Sequence, residues 1–372
     1  MKKICHFTSV HPPFDIRIFY KECKTIIQAG YKAVLIVPHD RDEKIDGVQI
    51  RAVFKAENRL ERMTRVLGEM YRGAIRENAD IYHFHDPELI PVGLLLKLHG
   101  KRVIYDVHEN YSQTLLSKEW IPPQFRPIIT RMVVFEELVG TRFFDGIVAA
   151  TPSIAARFPT SKTVTVQNFP FYNSGSIPNS SIPYNEREMV IAYVGVISAS
   201  RGVKEMIQAV ALLPQQLEVK LKLAGIFSPS NLEDEVRTFS GWNRVDFVGW
   251  QFHKDIMAML GKARIGLVVL HPSPNHIKSQ PNKLFEYMSA GLPVIASDFP
   301  LWREIIERAG CGLLVNPLDT RAIAEAIRWL LEHPSEAEAM GKQGQKAVFE
   351  YYNWEGEAKK LLAFYNKIFG RK

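Results

Sequence analysis

The feature that most constrains this chain is a repeated exchange of short β-rich runs with segments of helical period, interrupted once and then resumed. Before the interruption the β-rich runs fall at 4–9, 33–37, 48–53, 81–85, 102–107, 146–149 and 163–166, with helical patterns at 18–29, 59–77, 88–98 and 127–144. Parallel neighbours need a crossover long enough to hold a helix, so this alternation predicts a doubly wound α/β sheet. The stretch 169–188 is rich in Pro, Ser and Asn, has no period, and reads as a linker. Strands then restart at 189–195, 219–224, 245–249, 265–270, 294–297 and 312–315, which predicts a second sheet. The expected division is a first domain over 1–170, a linker over 171–188 and a second domain over 189–353, with a terminal helix at 354–372. Ligands of open α/β sheets bind beyond the strand carboxyl ends, so a cleft between two such edges is the expected site.

Bulk properties narrow the partners. The longest apolar stretch, 89–107, is broken by Pro91, Lys97, His99, Lys101 and Arg102, so no run reaches the roughly 20 residues of a membrane helix. The opening MKKICHFTSV has no long apolar core and reads as a strand rather than a signal peptide. Cys5, Cys23 and Cys311 lack metal-ligand spacing and suit reduced thiols in a cytoplasmic protein. A net charge of +7 calls for an anionic partner. Without zinc-finger spacing or aromatic RNA-binding signatures, nucleic acid is not expected to be that partner.

Several segments could carry chemistry. At 193–204, a strand ending at Gly195 is followed by a loop and by a helix near Gly202, whose free N–H groups suit phosphate. Arg201 at that mouth is either a bidentate diphosphate clamp or a solvated arginine of a βα turn. At 279–297 a loop leads into a helix beginning at Asn282 and Lys283, with Glu286 one turn on and on the same face. A carboxylate there can accept ribose hydroxyls while Lys283 and the helix start take phosphates. The competing reading is a Lys–Glu surface pair worth about a few tenths of a kcal/mol.

In the first half, His108 follows the 102–107 strand at the ligand edge, while His83 and His85 share one face of their strand by alternation. With Asp86 and Glu88 they could bind a metal, but cationic side chains can serve phosphate chemistry instead, and neither metal nor cofactor is expected. The first βα loop, 11–17, has no G-x-G-x-x-G, which removes the main support for a dinucleotide site. Arg62, Arg65, Arg72 and Arg76 form a stripe on the 59–77 helix opposite Leu60, Met63, Leu67, Met70 and Ala74. That face is either solvated or apposed to an anionic membrane, with Trp120 and Phe125 in a nearby loop adding aromatics.

Taken together these segments resemble the retaining GT-B glycosyltransferases of family four over nearly the whole chain. The resemblance is carried by Gly195 with Arg201-Gly202, Phe247-Val248-Gly249, the run from Glu286 to Ser297, Glu304, Gly312-Leu313-Leu314-Val315 and the Trp354 helix. His11-Pro12-Pro13 with Asp15-Ile16-Arg17, and Tyr105-Asp106-Val107-His108-Glu109, are similar to bacterial surface-polysaccharide transferases. The resemblance implies two Rossmann-like domains with the last helix crossing back to the first. It also implies a nucleotide-diphosphate sugar donor, UDP- or GDP-linked, and a glycan or lipid-linked glycan acceptor. Arg201 takes the position of the family's phosphate-binding lysine, assisted by Lys283. Glu286 takes that of the second glutamate of the E-x7-E motif, and His108 that of the histidine at the donor sugar. Gly195, Gly202, Gly249, Asn282 and Glu304 complete the implied donor side, and Asp15, Arg17, His85, Asp86 and Glu109 the acceptor side.

Three positions depart from the pattern. Lys278 replaces the first E-x7-E glutamate, Val196 replaces an arginine, and the first-loop glycine pair gives way to the 15–17 segment, leaving Arg17 to supply a charge there. The expected reaction is metal-independent transfer with retention, driven by stabilisation of the diphosphate leaving group. The expected location is cytoplasmic, with peripheral attachment to the inner face of the cell membrane. A sugar-nucleotide epimerase of the same fold, or a non-catalytic nucleotide-sugar-binding partner, would keep the same donor side.

Overall fold

Each run of alternation closes into its own parallel sheet. The computed structural model describes residues 1–111, 122, 124–172 and 182–370. It divides into one unit of Met1–Asn168 with Trp354–Lys372, and a second of Phe169–Asn353.

The first unit carries β1 (Lys3–Phe7), β2 (Lys32–Pro38), β3 (Glu43–Ile45), β4 (Val48–Val53), β5 (Ile81–Phe84), β6 (Arg102–Val107), β7 (Gly146–Ala149) and β8 (Thr163–Thr165). Their spatial order is β3-β4-β2-β1-β5-β6-β7-β8. All pairs are parallel except β3 with β4. Strand β3 is absent from the sequence reading because it is short, charged and at an edge. Its hairpin turns on Asp46 (φ 51°) and Gly47 (φ 85°), a pair suited to a primed turn. The chain leaves β1 toward β2 and returns on the other side at β5, so the switch point lies between β1 and β5.

Strand parity gives this sheet two unlike faces. In register, Cys5 meets Tyr82, His6 meets His83, and Phe7 meets Phe84. Strand β6 follows with His83 opposite Ile104 and Phe84 opposite Tyr105. One face therefore collects Cys5, Phe7, Tyr82, Phe84, Tyr105 and Val107 into an apolar cluster. The other carries His6, His83, His85 and Asp106, all buried. That polar face is covered by the widened helical segment Ile16–Cys23 and by the terminal helix Trp354–Gly370.

The second unit carries β9 (Val190–Val194), β10 (Lys220–Ala224), β11 (Val245–Gly249), β12 (Ile265–Val268), β13 (Val294–Ser297) and β14 (Gly312–Val315). Their order is β11-β10-β9-β12-β13-β14, all parallel, with the switch point between β9 and β12. Strands β9, β12 and β13 are buried along their whole length, as continuous apolar runs require in a sheet covered on both faces. Cys5, Cys23 and Cys311 are buried free thiols, and burial pushes Cys311 up to about 12, which keeps it protonated. Among the described residues no helix is long and apolar enough to cross a membrane.

The terminal helix belongs to the first unit through specific contacts. Trp354 is buried and donates its indole N–H to Thr25 Oγ1 at 3.0 Å, and Glu357 accepts the Gln167 amide at 2.9 Å. A Cβ added to Gly146 would lie 2.6 Å from Phe364, so glycine there allows the helix to seat closely. Trp354→Ala should cost the first unit about 3–5 kcal/mol, the usual loss for truncating a buried Trp. Denaturant unfolding followed on that unit measures it, and an unchanged midpoint would show that the helix contributes nothing to the fold.

Candidate active site

The carboxyl edge of the second sheet is shaped by backbone before side chains. Gly202 has φ +80°, and a Cβ there would fall 2.1 Å from the Val269 carbonyl oxygen, so no other residue fits the turn. Behind it the helix Val203–Ala211 starts with no side-chain cap, leaving its first N–H groups directed at the edge. Two cations converge on the same spot. A Cβ built on Gly195 would lie 3.6 Å from Lys283 Nζ and 3.8 Å from Arg201 Nη1.

Lys283 is 8% exposed, its ammonium lies 3.7 Å from the centroid of the Tyr193 ring, and that nitrogen has no hydrogen-bond partner. Burial, then the neighbouring Arg201, pushes its pKa well below the ordinary lysine value, and Glu286 offsets this in part. Among the described residues neither Lys283, Arg201 nor Glu286 forms an ion pair, so the Lys–Glu surface pair allowed by the i, i+3 spacing does not occur. An unpartnered buried ammonium beside a guanidinium is costly alone and is relieved by an anion. Asn282 begins its helix exposed and Glu286 is half-buried on the same helix. Gly249 ends β11 in open space, and Glu304 is exposed on the helix Pro300–Ala309.

The edge of the first sheet follows the opposite logic, with its charges paired among themselves. Arg17 Nη2 donates to both Asp106 oxygens at 3.0 Å, Nη1 donates to the Val166 carbonyl at 2.9 Å, and Nε lies 3.0 Å from Glu22 Oε1. Burial alone would raise the Asp106 pKa, but Arg17 and then His108 hold it well below the usual carboxylate range. Burial and then Asp106 push Glu22 well above that range. His6 and His83 are depressed by burial and by neighbouring histidines, and burial brings His85 down to about 4. His108, 15% exposed by its side chain, lies at the outer end of this cluster with Nε2 at 3.1 Å from His85 Nδ1.

Several expected acceptor-side residues hold other positions. Arg17, His85 and Asp86 are buried and engaged within the first unit. Arg17 in particular brings no spare charge to a phosphate, because the ionised Asp106 consumes it. Asp86 accepts from Thr8 Oγ1 and from the Ser9 amide, each at 2.7 Å. Asp15 caps the Ile16–Cys23 segment through the Arg17 and Ile18 amides and lies 3.3 Å from His11 Nδ1, whereas Glu109 is exposed beside His108.

The carboxylates next to the His83–His85 pair are Glu22 and Asp106, not Asp86 and Glu88. The four groups have ligand-type atoms within 4.8 Å of one another, and the positive charge already bridging the two carboxylates is that of Arg17. Sequence reasoning missed His6, Glu22 and Tyr365. The available signal was a glutamate and a histidine inside otherwise apolar, buried-looking segments.

The arginine stripe also needs correction. Arg62 pairs with Glu88 at 2.7 Å and Arg65 with Glu69 at 3.2 Å, while Leu60 and Met63 are exposed rather than packed inward. Trp120 lies outside the described residues. Phe125 is exposed, at the start of the helix Arg126–Phe143.

Comparison with known proteins places these features in a family. Residues 179–347 match the family described as glycosyl transferases group 1, and residues 17–166 match glycosyltransferase family 4. A mannosyltransferase from Mycolicibacterium hassiacum, described as an MMP alpha-(1->4)-mannosyltransferase, is 26% identical over 196 residues, covering 50% of this chain and 44% of that protein. The chain thus spans under half the length of the first curated relatives it matches, 44% and 46%. Among solved structures, sucrose-phosphate synthase from Thermosynechococcus elongatus superposes with TM-score 0.78 at 19% identity, over 99% of both chains. Anabaena HepE in complex with UDP and glucose superposes with TM-score 0.73 at 15% identity, over 99% of this chain and 100% of that one. Both share the fold of two Rossmann-like α/β domains.

The buried histidines make stability depend on pH in a definite direction. His6, His83 and His85 titrate below the ordinary 6.5 when folded, so under acid the unfolded chain binds more protons. Their contribution is complete above about 6.5 and is lost as pH falls below it. His276, also lowered, adds to them, whereas the raised Glu22, Glu88, Glu136, Glu137 and His11 oppose them in part. Thermal unfolding should therefore show Tm falling steadily from pH 6.5 to 5, at up to about 1.4 kcal/mol per pH unit for each uncompensated histidine. A flat Tm over that range would contradict the burial of neutral histidines.

Proposed function

Because the chain belongs to the group 1, family four glycosyltransferases, we propose that it moves a sugar from a UDP- or GDP-linked donor to a glycan or lipid-linked glycan of a bacterial surface polysaccharide. The observation that carries this reading is the unpartnered Lys283 ammonium converging with Arg201 on Gly195 at the uncapped helix start. As the anomeric C–O bond breaks, its electron pair passes to the diphosphate, and these groups receive the developing negative charge. Glu286 accepts hydrogen bonds from the ribose hydroxyls, and His108 is the sugar-contacting histidine that the family resemblance implies. On this reading no metal is needed, because Arg201, Lys283 once protonated, and the helix N–H groups supply the compensation. The anomeric configuration is retained, which the anomer of the isolated product tests directly.

The membrane side of the proposal moves to the helix Arg126–Phe143. Its outward stripe is Ile128, Arg131, Met132, Phe135, Leu138 and Arg142, all exposed, whereas its inward face holds Glu137, Gly140 and Thr141. An outward stripe of large apolar residues and arginines, without a carboxylate, complements an anionic lipid surface and would keep the enzyme beside a lipid-linked acceptor. Phe135→Glu with Leu138→Glu should abolish co-sedimentation with phosphatidylglycerol vesicles, and wild-type binding should weaken with salt and be absent on phosphatidylcholine. Equal recovery of wild type and variant would remove this part of the proposal.

The donor side is tested by thermal stabilisation against nucleoside diphosphates and nucleotide sugars without added metal. One base family should raise Tm, by about 2.7 kcal/mol of linkage at a hundredfold excess over Kd, with the shift lost in Glu286→Ala and Arg201→Ala. Lys283 must take up a proton to pair with the diphosphate, so binding should weaken as pH rises, and Lys283→Arg should flatten that dependence. No shift with any nucleotide would overturn the reading, and product from donor alone, without acceptor, would favour an epimerase.

A further inference from the structure

Four histidines and one tyrosine of the first unit form a single file of hydrogen bonds. His108 Nε2 lies 3.1 Å from His85 Nδ1, and His85 Nε2 lies 2.9 Å from His6 Nδ1. His6 Nε2 lies 3.1 Å from Tyr365 OH, and that hydroxyl lies 2.7 Å from His83 Nδ1. A neutral imidazole has one donor nitrogen and one acceptor nitrogen, and each of these bonds takes one hydrogen. Two states satisfy all the bonds. In the first, every histidine carries its proton on Nε2 and Tyr365 donates to His83. In the second, every histidine carries it on Nδ1 and Tyr365 donates to His6.

Glu22 Oε2, 3.6 Å from His6 Nδ1 and 3.9 Å from His85 Nε2, meets one N–H and one lone pair in either state, so Asp106 discriminates between the two. Its Oδ2 lies 3.7 Å from His83 Nε2, 3.4 Å from His108 Nε2 and 3.5 Å from His85 Nδ1. In the Nε2 state two N–H dipoles meet this carboxylate and one lone pair faces it. In the Nδ1 state one N–H meets it and two lone pairs face it. The Arg17 guanidinium keeps Asp106 ionised, so the difference is a matter of charge against dipole in a site with little water.

We infer that the file is held in the Nε2 state. His108 then commits Nε2–H inward and presents Nδ1 as a lone pair, able to accept a hydrogen bond from a sugar hydroxyl or to take its proton. Tyr365, on the returning helix, bridges His83 to His6 and carries the preference set at Asp106 along the file. It is a positioning residue that touches no substrate. The consequence for transfer rests on the assignment of His108 in the preceding subsection; the direction of the file does not.

Long-range proton–nitrogen NMR of the full chain labelled with 15N-histidine, near pH 7.5, reads each tautomer directly, with His108→Ala providing the assignment of His108. The expected spectrum has His6, His83, His85 and His108 all protonated on Nε2. Protonation of His108 on Nδ1, or a mixture in the wild type, would overturn the inference. Tyr365→Phe keeps the buried ring and removes the bridge. His108 should then become a mixture of tautomers, with kcat falling about twofold to tenfold as the fraction of competent rings falls, and KM little changed. A His108 tautomer unchanged in Tyr365→Phe would overturn the role of Tyr365. Should that variant fail to fold, the wild-type spectrum still decides the direction. Should His108→Ala transfer sugar normally, the assignment of His108 fails while the spectrum still decides the file.

Discussion

The buried ion pair of Arg17 with Asp106 is the interaction on which the first unit depends. A carboxylate fully buried on the central part of a sheet is tolerable only with a charged partner and saturated hydrogen bonding. Arg17 supplies both, and in doing so fixes the segment Ile16–Cys23 over the polar face of β1, β5 and β6. Asp15 adds to this by capping the same segment, which ties the first βα loop to the sheet edge. Once Asp106 is held ionised, the buried His6, His83 and His85 beside it are kept neutral by burial and oriented by the carboxylate. The loop, the cap and the histidine cluster therefore stand or fall with one charge pair.

The second unit makes the opposite use of charge. There Lys283 and Arg201 converge on Gly195 without a carboxylate bonded to either among the described residues. Burial and then the neighbouring guanidinium push the Lys283 pKa well below the ordinary lysine value, and its nitrogen rests over the Tyr193 ring of β9. The cost is relieved when an anion arrives, so the stability of the edge and its affinity are two aspects of one electrostatic imbalance.

How much of this was legible in the sequence follows from the range of the interactions involved. Strand positions were legible as short β-rich runs between helical patterns, and β4, β6, β7, β11, β13 and β14 have the bounds the pattern gives. Local juxtapositions were legible too: His83 with His85 by alternation, and Lys283 with Glu286 by helical spacing. The partners of those residues were not. His6 pairs with His85 across 79 residues and with Tyr365 across 359, separations at which period and spacing carry no information. Arg17 reads as a spare cation in a loop until its carboxylate, 89 residues away, is known. The helix Arg126–Phe143 misleads in another way. Its inward face holds a glutamate, a glycine and a threonine, and its outward face is apolar, so a hydrophobic pattern alone assigns the faces the wrong way round.

That inversion and the buried polar face of the first sheet have a common cause in packing geometry. Gly140 lies so close to Ile90 and Phe144 that an added Cβ would come within 2.8 Å of Ile90, and Gly146 is equally tight against Phe364 and Ile368. Where backbone must approach that closely, the contact residue is small, and apolar bulk is displaced to positions one turn away or to the facing element. The terminal helix can then bring a tyrosine hydroxyl to two histidine rings because glycine at β7 leaves room for its Phe364 and Ile368. Polar groups are thus admitted to the interior where close helix–sheet approach pairs most of them, while Glu22 and His83 Nε2 keep no hydrogen-bond partner among the described residues. The last helix of the chain belongs in the first unit for the same reason: without Tyr365 the file from His108 would end on an unpaired ring nitrogen in the middle of a sheet.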